Sequence, residues 1–106
     1  MKIAIHDNGT AATLTMVGRL DLSSAEVIAL PLAALSGSKN ALFVDMAGVT
    51  FIASIGLRHL VSAAKTLGRR GGRLVLLNPN TTVSEVITTS GLAGLLQIER
   101  GGSPQN

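Results

Sequence analysis

The alternation of hydrophobic and polar positions along the chain predicts a regular series of strands and helices. "MKIAI" and "AATLTMVGRL" flank the segment "HDNGT", whose Asn-Gly pair favours a tight turn, so these segments predict an opening β-hairpin. "ALFVDM" and "GRLVLL" are almost wholly apolar, which is typical of strands that are buried on both faces. The first of these predicted strands ends at Asp45, and "LLQIE" is a candidate for a last strand.

Two of the segments between the strands combine helical spacing with a capping-box pattern. In "LDLSSAEVIALPLAALSGSKN", apolar residues recur at helical intervals, and Ser23 with Glu26 has the spacing of a capping box. Pro31 lies inside this segment and predicts a kink or a broken helix there. Thr82 and Glu85 repeat the capping-box spacing ahead of a short third helix.

The middle helix is predicted from Ser54 to about Leu67, closing at Gly68. A helical projection at about 100° per residue separates an apolar arc, which we expect to pack on the sheet, from a polar arc. The apolar arc contains Leu57, Leu60, Val61, Ala64 and Leu67, with Gly56 and Ala63 at its border. The polar arc contains Ser54, Arg58, Ser62, Lys65 and Arg69, with His59 and Thr66 at its flank. Ile55 projects into the middle of the polar arc, so we expect it to be exposed unless the preceding loop or another chain covers it.

The predicted order of elements is β-β-α-β-α-β-α-(β). Strands that alternate with helices indicate an α/β fold in which helices pack on a sheet, and the leading hairpin makes the sheet mixed. The chain has 106 residues, which suggests a single domain. We assign residues 1 to 99 to that domain and expect residues 100 to 106 to form a flexible tail.

Composition limits the class of protein. The chain is 46% hydrophobic and 14% charged, enough for a real core, and it has no cysteine, which excludes a disulfide scaffold and cysteine-ligated metals. No apolar run approaches the roughly 18 residues of a membrane span. The N-terminus turns polar by His6 and so has no signal-peptide core. We therefore expect a soluble, cytoplasmic protein without membrane insertion.

The basic balance does not favour nucleic acid as a partner. The net charge is +3 and the sequence pI is about 10.2, but the basic residues are scattered, and only "GRRGGR" groups three of them. Aromatic residues make up 2% of the chain, with no Trp or Tyr, so the platforms on which bases stack are missing. We expect no direct binding of nucleic acid.

Catalysis is not expected either. His6 and His59 are far apart in sequence, and neither has a neighbour at metal-ligand spacing. The six acidic residues are scattered, which argues against a general acid/base pair, and Ser54 has no G-x-S-x-G context. "GRRGG" precedes a strand, unlike the usual phosphate-binding loop. The sequence therefore predicts no enzyme activity, cofactor or metal.

Two interpretations of Ser54 remain open at this point. A serine at a helix N-cap accepts a hydrogen bond from a free backbone N–H and adds about 1 kcal/mol of stability. The same place suits a phosphate, because free N–H groups and the helix dipole favour negative charge. Ile55 likewise is either an incidental exposed side chain or an apolar anchor at the centre of a binding face.

Three blocks of the chain together resemble a STAS domain, the module of bacterial anti-sigma factor antagonists that also occurs at the ends of sulfate transporters. These blocks are "VGRLD", "ALFVDMAGVTFIASIGLRHL" and "GRLVLLNPNTTVSEVITTSGLAGLLQI", and their order and spacing carry the resemblance over roughly residues 1 to 99. The family segment resembles "V-x-F-I-D-S-[ST]-G-L" after a strand that ends in aspartate. The matching residues here are Asp45, Val49, Phe51, Ile52, Ser54, Gly56 and Leu57.

The resemblance implies a switch that works by exchanging partners and so regulates transcription through a sigma factor. It places the phosphorylated serine at Ser54. The unphosphorylated domain would bind an anti-sigma factor, a serine kinase with a histidine-kinase-like ATP-binding fold, and phosphorylation would break that complex. The predicted partner-binding residues are Asp21, Ala53, Ser54, Ile55, Gly56, Arg58, His59 and Ser62.

Two acidic residues have structural alternatives. Asp21 matches a family position near the start of the Ser54 helix, and it could equally be the acid that precedes the first helix. Asp45 could be a strand-end residue that caps the following loop.

Two residues depart from the family pattern. Ala53 replaces the aspartate before the serine, and Ile55 replaces the small hydroxyl residue after it. These departures favour an alternative function, a STAS interaction module that is not phosphorylated. It would act as a scaffold or as a subunit of a lipid-transport, transporter-linked or two-component complex. A small-ligand role is a third option. We expect a monomer, with a dimer as the alternative.

Overall fold

Five strands and three helices follow one another in the predicted order. The structure is a computed structural model that describes residues 1–101. The strands are β1 (Lys2–Asp7), β2 (Ala11–Leu20), β3 (Ala41–Ile52), β4 (Arg73–Leu77) and β5 (Gln97–Glu99). The helices are α1 (Leu22–Ser38), α2 (Ser54–Arg69) and α3 (Thr81–Thr89), and a 3-10 turn, Ala93–Leu95, precedes β5.

The strands form one mixed sheet in the order β1-β2-β3-β4-β5. β1 and β2 are antiparallel and form the predicted hairpin, whereas the other three pairs are parallel. Gly9 closes the hairpin with a φ of 88°, and its N–H donates to the Asp7 carboxylate at 2.8 Å. The α/β class and the mixed sheet are confirmed.

The core lies between one face of the sheet and the helices. Alternate positions of the central strands point into it, namely Leu14, Met16, Leu42, Val44, Met46, Leu74 and Leu76. The helices contribute Ile28, Leu32, Leu57, Leu60, Leu67, Val83 and Ile87 to the same cluster. Because one continuous cluster includes residues from all three helices, the helices cover the same face of the sheet. The apolar arc predicted for α2 is buried, apart from Ala64, which is half-buried.

β3 is longer than predicted. It does not end at Asp45 but continues to Ile52, so the apolar run after Asp45 is the second half of the same strand. The Asp45 carboxylate accepts a hydrogen bond from the N–H of Ala47 at 3.0 Å, where the pairing of β2 with β3 shifts register. Such a shift bends a strand without ending it. β3 therefore reaches the edge of the sheet at which α2 begins.

Both predicted capping boxes are wrong. Asp21, not Ser23, caps α1, and its carboxylate accepts from the N–H of Ser24 at 3.1 Å. Asn80, not Thr82, caps α3, and its side-chain oxygen accepts from the N–H of Val83 at 2.8 Å. In each case a short polar side chain two residues earlier takes the cap position in extended backbone, so the helix begins before the S/T-x-x-E pattern.

α1 runs through Pro31 without a break. Proline removes one backbone donor from a helix and usually disturbs the preceding turn. Here Ile28 and Leu32 are buried on either side of Pro31. Most helical stability in proteins comes from such packing of a buried face, which explains why the predicted break is wrong.

The three arginines of the basic segment "GRRGGR" have different surroundings. The Arg70 guanidinium donates to the carbonyl oxygens of Ser36 and Lys39, at 2.9 and 2.8 Å, at the end of α1. Arg73, on β4, lies over the ring of Phe43 on the adjacent strand β3, 5.6 Å from the ring centroid. Arg69 belongs to α2. The three arginines therefore do not form one patch.

The last described residues are hydrogen bonded to the domain. Arg100 donates to the carbonyl oxygen of Pro79 at 2.5 Å and also contacts the Ser84 hydroxyl. The N–H of Gly101 donates to the side chain of Asn78 at 2.6 Å. Most of the predicted tail, residues 102 to 106, lies outside the described residues. Within residues 1–101, no helix is both long and apolar enough to cross a membrane.

Candidate functional site

The carboxyl ends of β2 and β3 meet at one edge of the sheet, and two helices begin there. Leu20 pairs with Ile52 at the end of the two strands, and the N–H of Ala53 donates to the carbonyl oxygen of Leu20 at 2.8 Å. α1 starts directly after Asp21 and α2 directly after Ala53. The predicted proximity of Asp21 to the start of α2 is therefore present in the structure.

Asp21 is half-buried and fixed in place. The N–H and the hydroxyl of Ser24 both donate to its Oδ1 atom, at 3.1 and 3.0 Å. These two hydrogen bonds hold the pKa of the Asp21 carboxyl below its usual value. Asp21 is thus an acid at the entry of α1, as its structural interpretation predicted. It is itself the N-cap, however, and does not precede a cap at Ser23. Its Oδ2 atom makes no hydrogen bond among residues 1–101.

Ser54 is the first residue of α2. It is not the N-cap, although the interpretation of Ser54 as a stabilising cap required that position. Ala53 holds the cap position with φ −93° and ψ 163°, and no side-chain hydrogen bond caps the helix. The backbone hydrogen bond from Ala53 to Leu20 sets this register, because it carries the strand geometry one residue past β3. Ser54 is exposed, and its hydroxyl makes no hydrogen bond within residues 1–101. Capping therefore does not account for the serine.

Ile55 and Gly56 are less accessible than the sequence suggests. Ile55 is half-buried, so the rest of the domain partly covers a side chain that the projection places on the polar arc. Gly56 is buried, and a Cβ atom at this position would lie 2.5 Å from Cγ of Leu20. The glycine lets α2 approach the end of β2 closely. Its side of the helix faces the core and not solvent, so a partner could reach only the surroundings of this residue.

The exposed side of α2 forms a ridge between two grooves. Arg58 and Ser62 are exposed, and His59 is half-buried. A groove of about 280 Å³ lies between α1 and α2, and its lining includes His59 and Ser62. A second groove of about 490 Å³ lies between α2 and the segment after α3, and it is lined by Arg58, Val61, Ser62, Lys65, Ser90 and Leu92. Ser62 borders both grooves.

The second groove adds residues that the sequence did not single out as partner-binding. Lys65 belongs to the polar arc of the helical projection, so its exposure could have been anticipated. Ser90 and Leu92 follow α3 and have no such signal, because only the packing of the folded chain brings them beside α2. Within residues 1–101, no group of three or more His, Cys, Asp or Glu side chains could hold a metal ion.

The structure thus brings seven of the eight predicted partner-binding residues to the start and the outer side of α2 or to the adjoining cap of α1. The eighth, Gly56, faces inward. Their partner-binding roles remain a prediction. What the geometry offers is an exposed, unengaged hydroxyl beside an oriented carboxylate, on an edge that continues into a basic helix.

Comparison with known proteins agrees with this fold. The anti-sigma factor antagonist SpoIIAA in its unphosphorylated form is similar, with a TM-score of 0.83 and 21% identity over 96% of this chain and 90% of that chain. The phosphorylated form of SpoIIAA, from Bacillus, gives a TM-score of 0.77 and 20% identity over 96% and 93%. A region of SLC26A9 is also similar, with a TM-score of 0.75 and 20% identity over 87% of this chain and 18% of that chain.

No curated protein sequence matches the chain. The profile of the STAS domain family matches residues 2–101, nearly the whole chain. The element order and the mixed sheet agree with that match. The chain therefore belongs to the STAS domain family.

Proposed function

We propose that this protein is a partner-binding switch of the anti-sigma factor antagonist type. Unphosphorylated at Ser54, it sequesters an anti-sigma factor serine kinase with a histidine-kinase-like ATP-binding fold, which frees the sigma factor. Phosphorylation of Ser54 by that kinase releases the complex. The domain acts through protein contacts in the cytoplasm, without enzyme activity of its own, and it contacts no DNA directly.

The exposed and unengaged hydroxyl of Ser54 is the observation that carries this proposal. A serine that capped α2 would have a structural reason to be there, but Ala53 occupies the cap and Ser54 makes no hydrogen bond within residues 1–101. A phosphoryl acceptor must be reachable by the kinase, and Ser54 lies at the start of a helix on an open edge. Phosphate there would add about −1.5 to −2 charges without removing any native side-chain contact of Ser54.

The oriented carboxylate of Asp21 supports the proposal that a kinase binds at the edge where Ser54 lies. Because its Oδ1 atom is held by two hydrogen bonds from Ser24, the side chain has a fixed direction at the edge where Ser54 lies. A fixed charge costs little conformational entropy when a partner binds it. Asp21 and Ser54 thus offer a preformed polar edge for a kinase.

The test is phosphate transfer to the intact chain. The serine kinases of this ATP-binding fold encoded in the same genome are each incubated with the protein, with and without Mg-ATP, and intact mass is measured. We expect one kinase to form a complex without ATP and to add one phosphate with ATP. Ser54→Ala should abolish the mass increase while leaving the complex intact.

Thr50→Val is a matched control, because Thr50 is another exposed hydroxyl residue close to this edge, at the end of β3. This variant should still gain one phosphate. Phosphate on Ser54→Ala, or binding that persists unchanged in Ser54→Asp, would contradict the proposed switch.

A second candidate function rests on Ala53 and Ile55. Ala53 contributes no side-chain hydrogen bond where the family has aspartate, and the half-buried Ile55 adds apolar bulk directly after Ser54. An apolar contact of this kind suits a constitutive interaction module, a scaffold or a subunit of a lipid-transport, transporter-linked or two-component complex. In that case Ile55→Asp abolishes partner binding, while kinase and ATP leave the mass of the protein unchanged.

A further inference from the structure

The outer side of α2 carries three cations, Arg58, Lys65 and Arg69, with Ser62 between the first two, and we call these four residues the α2 ridge. Their spacing of three or four residues places all four on one side of the helix, over a length of roughly 16 Å. Arg58, Ser62, Lys65 and Arg69 are all exposed. Ser54 stands one turn ahead of Arg58 on the same side.

The cations of the ridge have no acidic partner in the part of the chain that the structure describes. There the single ion pair joins Lys39 to Asp7, at 2.6 Å, and it involves no residue of the ridge. α2 itself contains no Asp or Glu. Among residues 1–101, the only hydrogen bond from a ridge cation is the long one from Arg69 to the Thr66 hydroxyl, at 3.4 Å. The ridge is therefore a line of positive charge that the domain does not neutralise.

An apolar floor lies directly beside the ridge. The groove of about 490 Å³ that runs along α2 is lined by Arg58 and Lys65 on the helix side, and Val61 and Leu92 give it an apolar surface. Val61 is 8% exposed and belongs to the core, so this floor is rigid. A ligand that fits must place negative groups over the ridge and apolar groups into the groove.

We propose that the α2 ridge and its groove dock an acidic amphipathic segment of a protein partner. Carboxylates of the segment pair with Arg58, Lys65 and Arg69, and its apolar side chains enter the groove at Val61 and Leu92. This inference rests on the proposed function only in taking the start of α2 as the partner-facing edge. It names the chemistry of the partner and extends the docking surface along the helix, well beyond Ser54.

Nucleic acid fits this surface less well than an acidic protein segment. α2 carries no Asn or Gln, which pair with adenine edges, and no Phe, Tyr or Trp, on which bases stack, so its Arg and Lys side chains are left as its main contacts for DNA. Part of the groove beside the ridge is apolar, at Val61 and Leu92, where a phosphate backbone would need further donors. DNA is therefore an alternative that the test must separate from the proposed partner.

The test measures binding of three labelled probes by fluorescence anisotropy. One is an amphipathic peptide with Glu on one helical face and Leu on the other, one is the same peptide with Lys in place of each Glu, and one is a DNA duplex. We expect the Glu peptide to bind the intact chain most tightly. Its affinity should fall as NaCl is raised from about 0.05 to about 0.5 M, because salt screens exposed charges.

The triple variant Arg58→Gln, Lys65→Gln, Arg69→Gln should weaken binding of the Glu peptide by about tenfold, the combined effect of three exposed pairs. The matched control removes three cations elsewhere, with Lys2→Gln, Arg19→Gln and Arg73→Gln. Its net charge is the same as that of the ridge variant, and its binding should match that of the unaltered chain.

Several outcomes would overturn the proposal. These are an equal loss of binding in both triple variants, no measurable binding of the Glu peptide, equal binding of the Lys peptide, or tighter binding of DNA. Circular dichroism checks that each variant is folded. If the ridge triple variant does not fold, the single variant Lys65→Gln takes its place, and it should weaken binding about twofold. Phosphate transfer to Ser54 tests the proposed function separately, so a failure of the ridge and a failure of the switch give different results.

Discussion

Gly56 approaches Leu20 so closely that a Cβ atom on the glycine would lie 2.5 Å from Cγ of the leucine. Leu20 is fully buried at the end of β2, and Gly56 lies in the first turn of α2. This approach sets how near the start of α2 lies to the strand that leads to Asp21. The start of α2 and the end of β2 can thus lie close together because residue 56 has no side chain.

Gly56→Ala should therefore destabilise the protein, although alanine is the better helix former. Forcing a methyl group into a well-packed core costs about 1–3 kcal/mol, which exceeds the gain of about 1 kcal/mol in helix propensity. Urea unfolding measures the change. Gly68→Ala is the matched control in the same helix, because a Cβ there meets no atom within 4 Å, and it should raise the free energy of unfolding. Equal effects of the two substitutions would show that the contact with Leu20 does not matter.

Ala53→Asp should stabilise the protein by about 1 kcal/mol, because the residue already has the extended backbone of an N-cap and lacks only the side-chain oxygen. Thermal or urea unfolding at neutral pH measures the gain. Ala53→Asn separates the hydrogen bond from the charge, since an amide oxygen caps almost as well. A loss of stability in both variants would mean that the cap geometry at Ala53 cannot accept a donor from the first turn of α2.

Asp21 should contribute stability that depends on pH. The hydrogen bonds from Ser24 keep the pKa of its carboxyl below the usual 3.8 in the folded state. A group of this kind stabilises the fold above its unfolded pKa, and that contribution is lost as pH falls through the folded pKa. The free energy of unfolding should therefore drop more steeply below about pH 4 in the unaltered chain than in Asp21→Asn.

Asp7 provides an independent comparison for this pH dependence. The hydrogen bond from Lys39 lowers the pKa of the Asp7 carboxyl too, at the end of β1. Asp7→Asn should remove a separate part of the acid slope, and the two substitutions should add, because the two carboxylates share no hydrogen-bond partner. Identical slopes in all four proteins would contradict both assignments.

Ser54 and Arg58 should be energetically coupled once residue 54 is negative. The two residues are four apart on α2, a spacing at which opposite charges on a helix attract. A charge at 54 then competes with a partner's carboxylate for Arg58. In a double-mutant cycle with the Glu peptide, Ser54→Asp should weaken binding in the unaltered background and have little effect in Arg58→Gln. Additive effects would show that residue 54 acts without Arg58.

The overall order of elements was predictable because hydrophobic periodicity is a local property of the chain. The buried side of α2, from Leu57 to Leu67, follows directly from spacing in the sequence. The starts of α1 and α3 were not predictable in the same way, whereas α2 begins at Ser54 as expected. Ser23 and Thr82 match the capping box, but the ends of the preceding strands decide where each helix begins, and those ends depend on pairing with other strands.

The candidate site was predictable as a location and not in its details. The family resemblance placed Ser54 and Asp21 together, yet the position of the cap at Ala53 follows from a hydrogen bond to Leu20, a residue more than thirty positions earlier in the chain. The groove residues Ser90 and Leu92 come from a different helix end. Helical projection ranks exposure around one isolated helix, so it could not report what α1, α3 and the sheet cover.

Arg70 gives the molecule a mechanical property. Its guanidinium fastens the corner after α2 to the last carbonyl groups of α1, while the hydrogen bond from Ala53 to Leu20 ties the opposite ends of the same two helices. α1 and α2 are thus joined at both ends and should open as one cooperative unit in native-state hydrogen exchange. A force that a partner applies along α2 would therefore also act on α1.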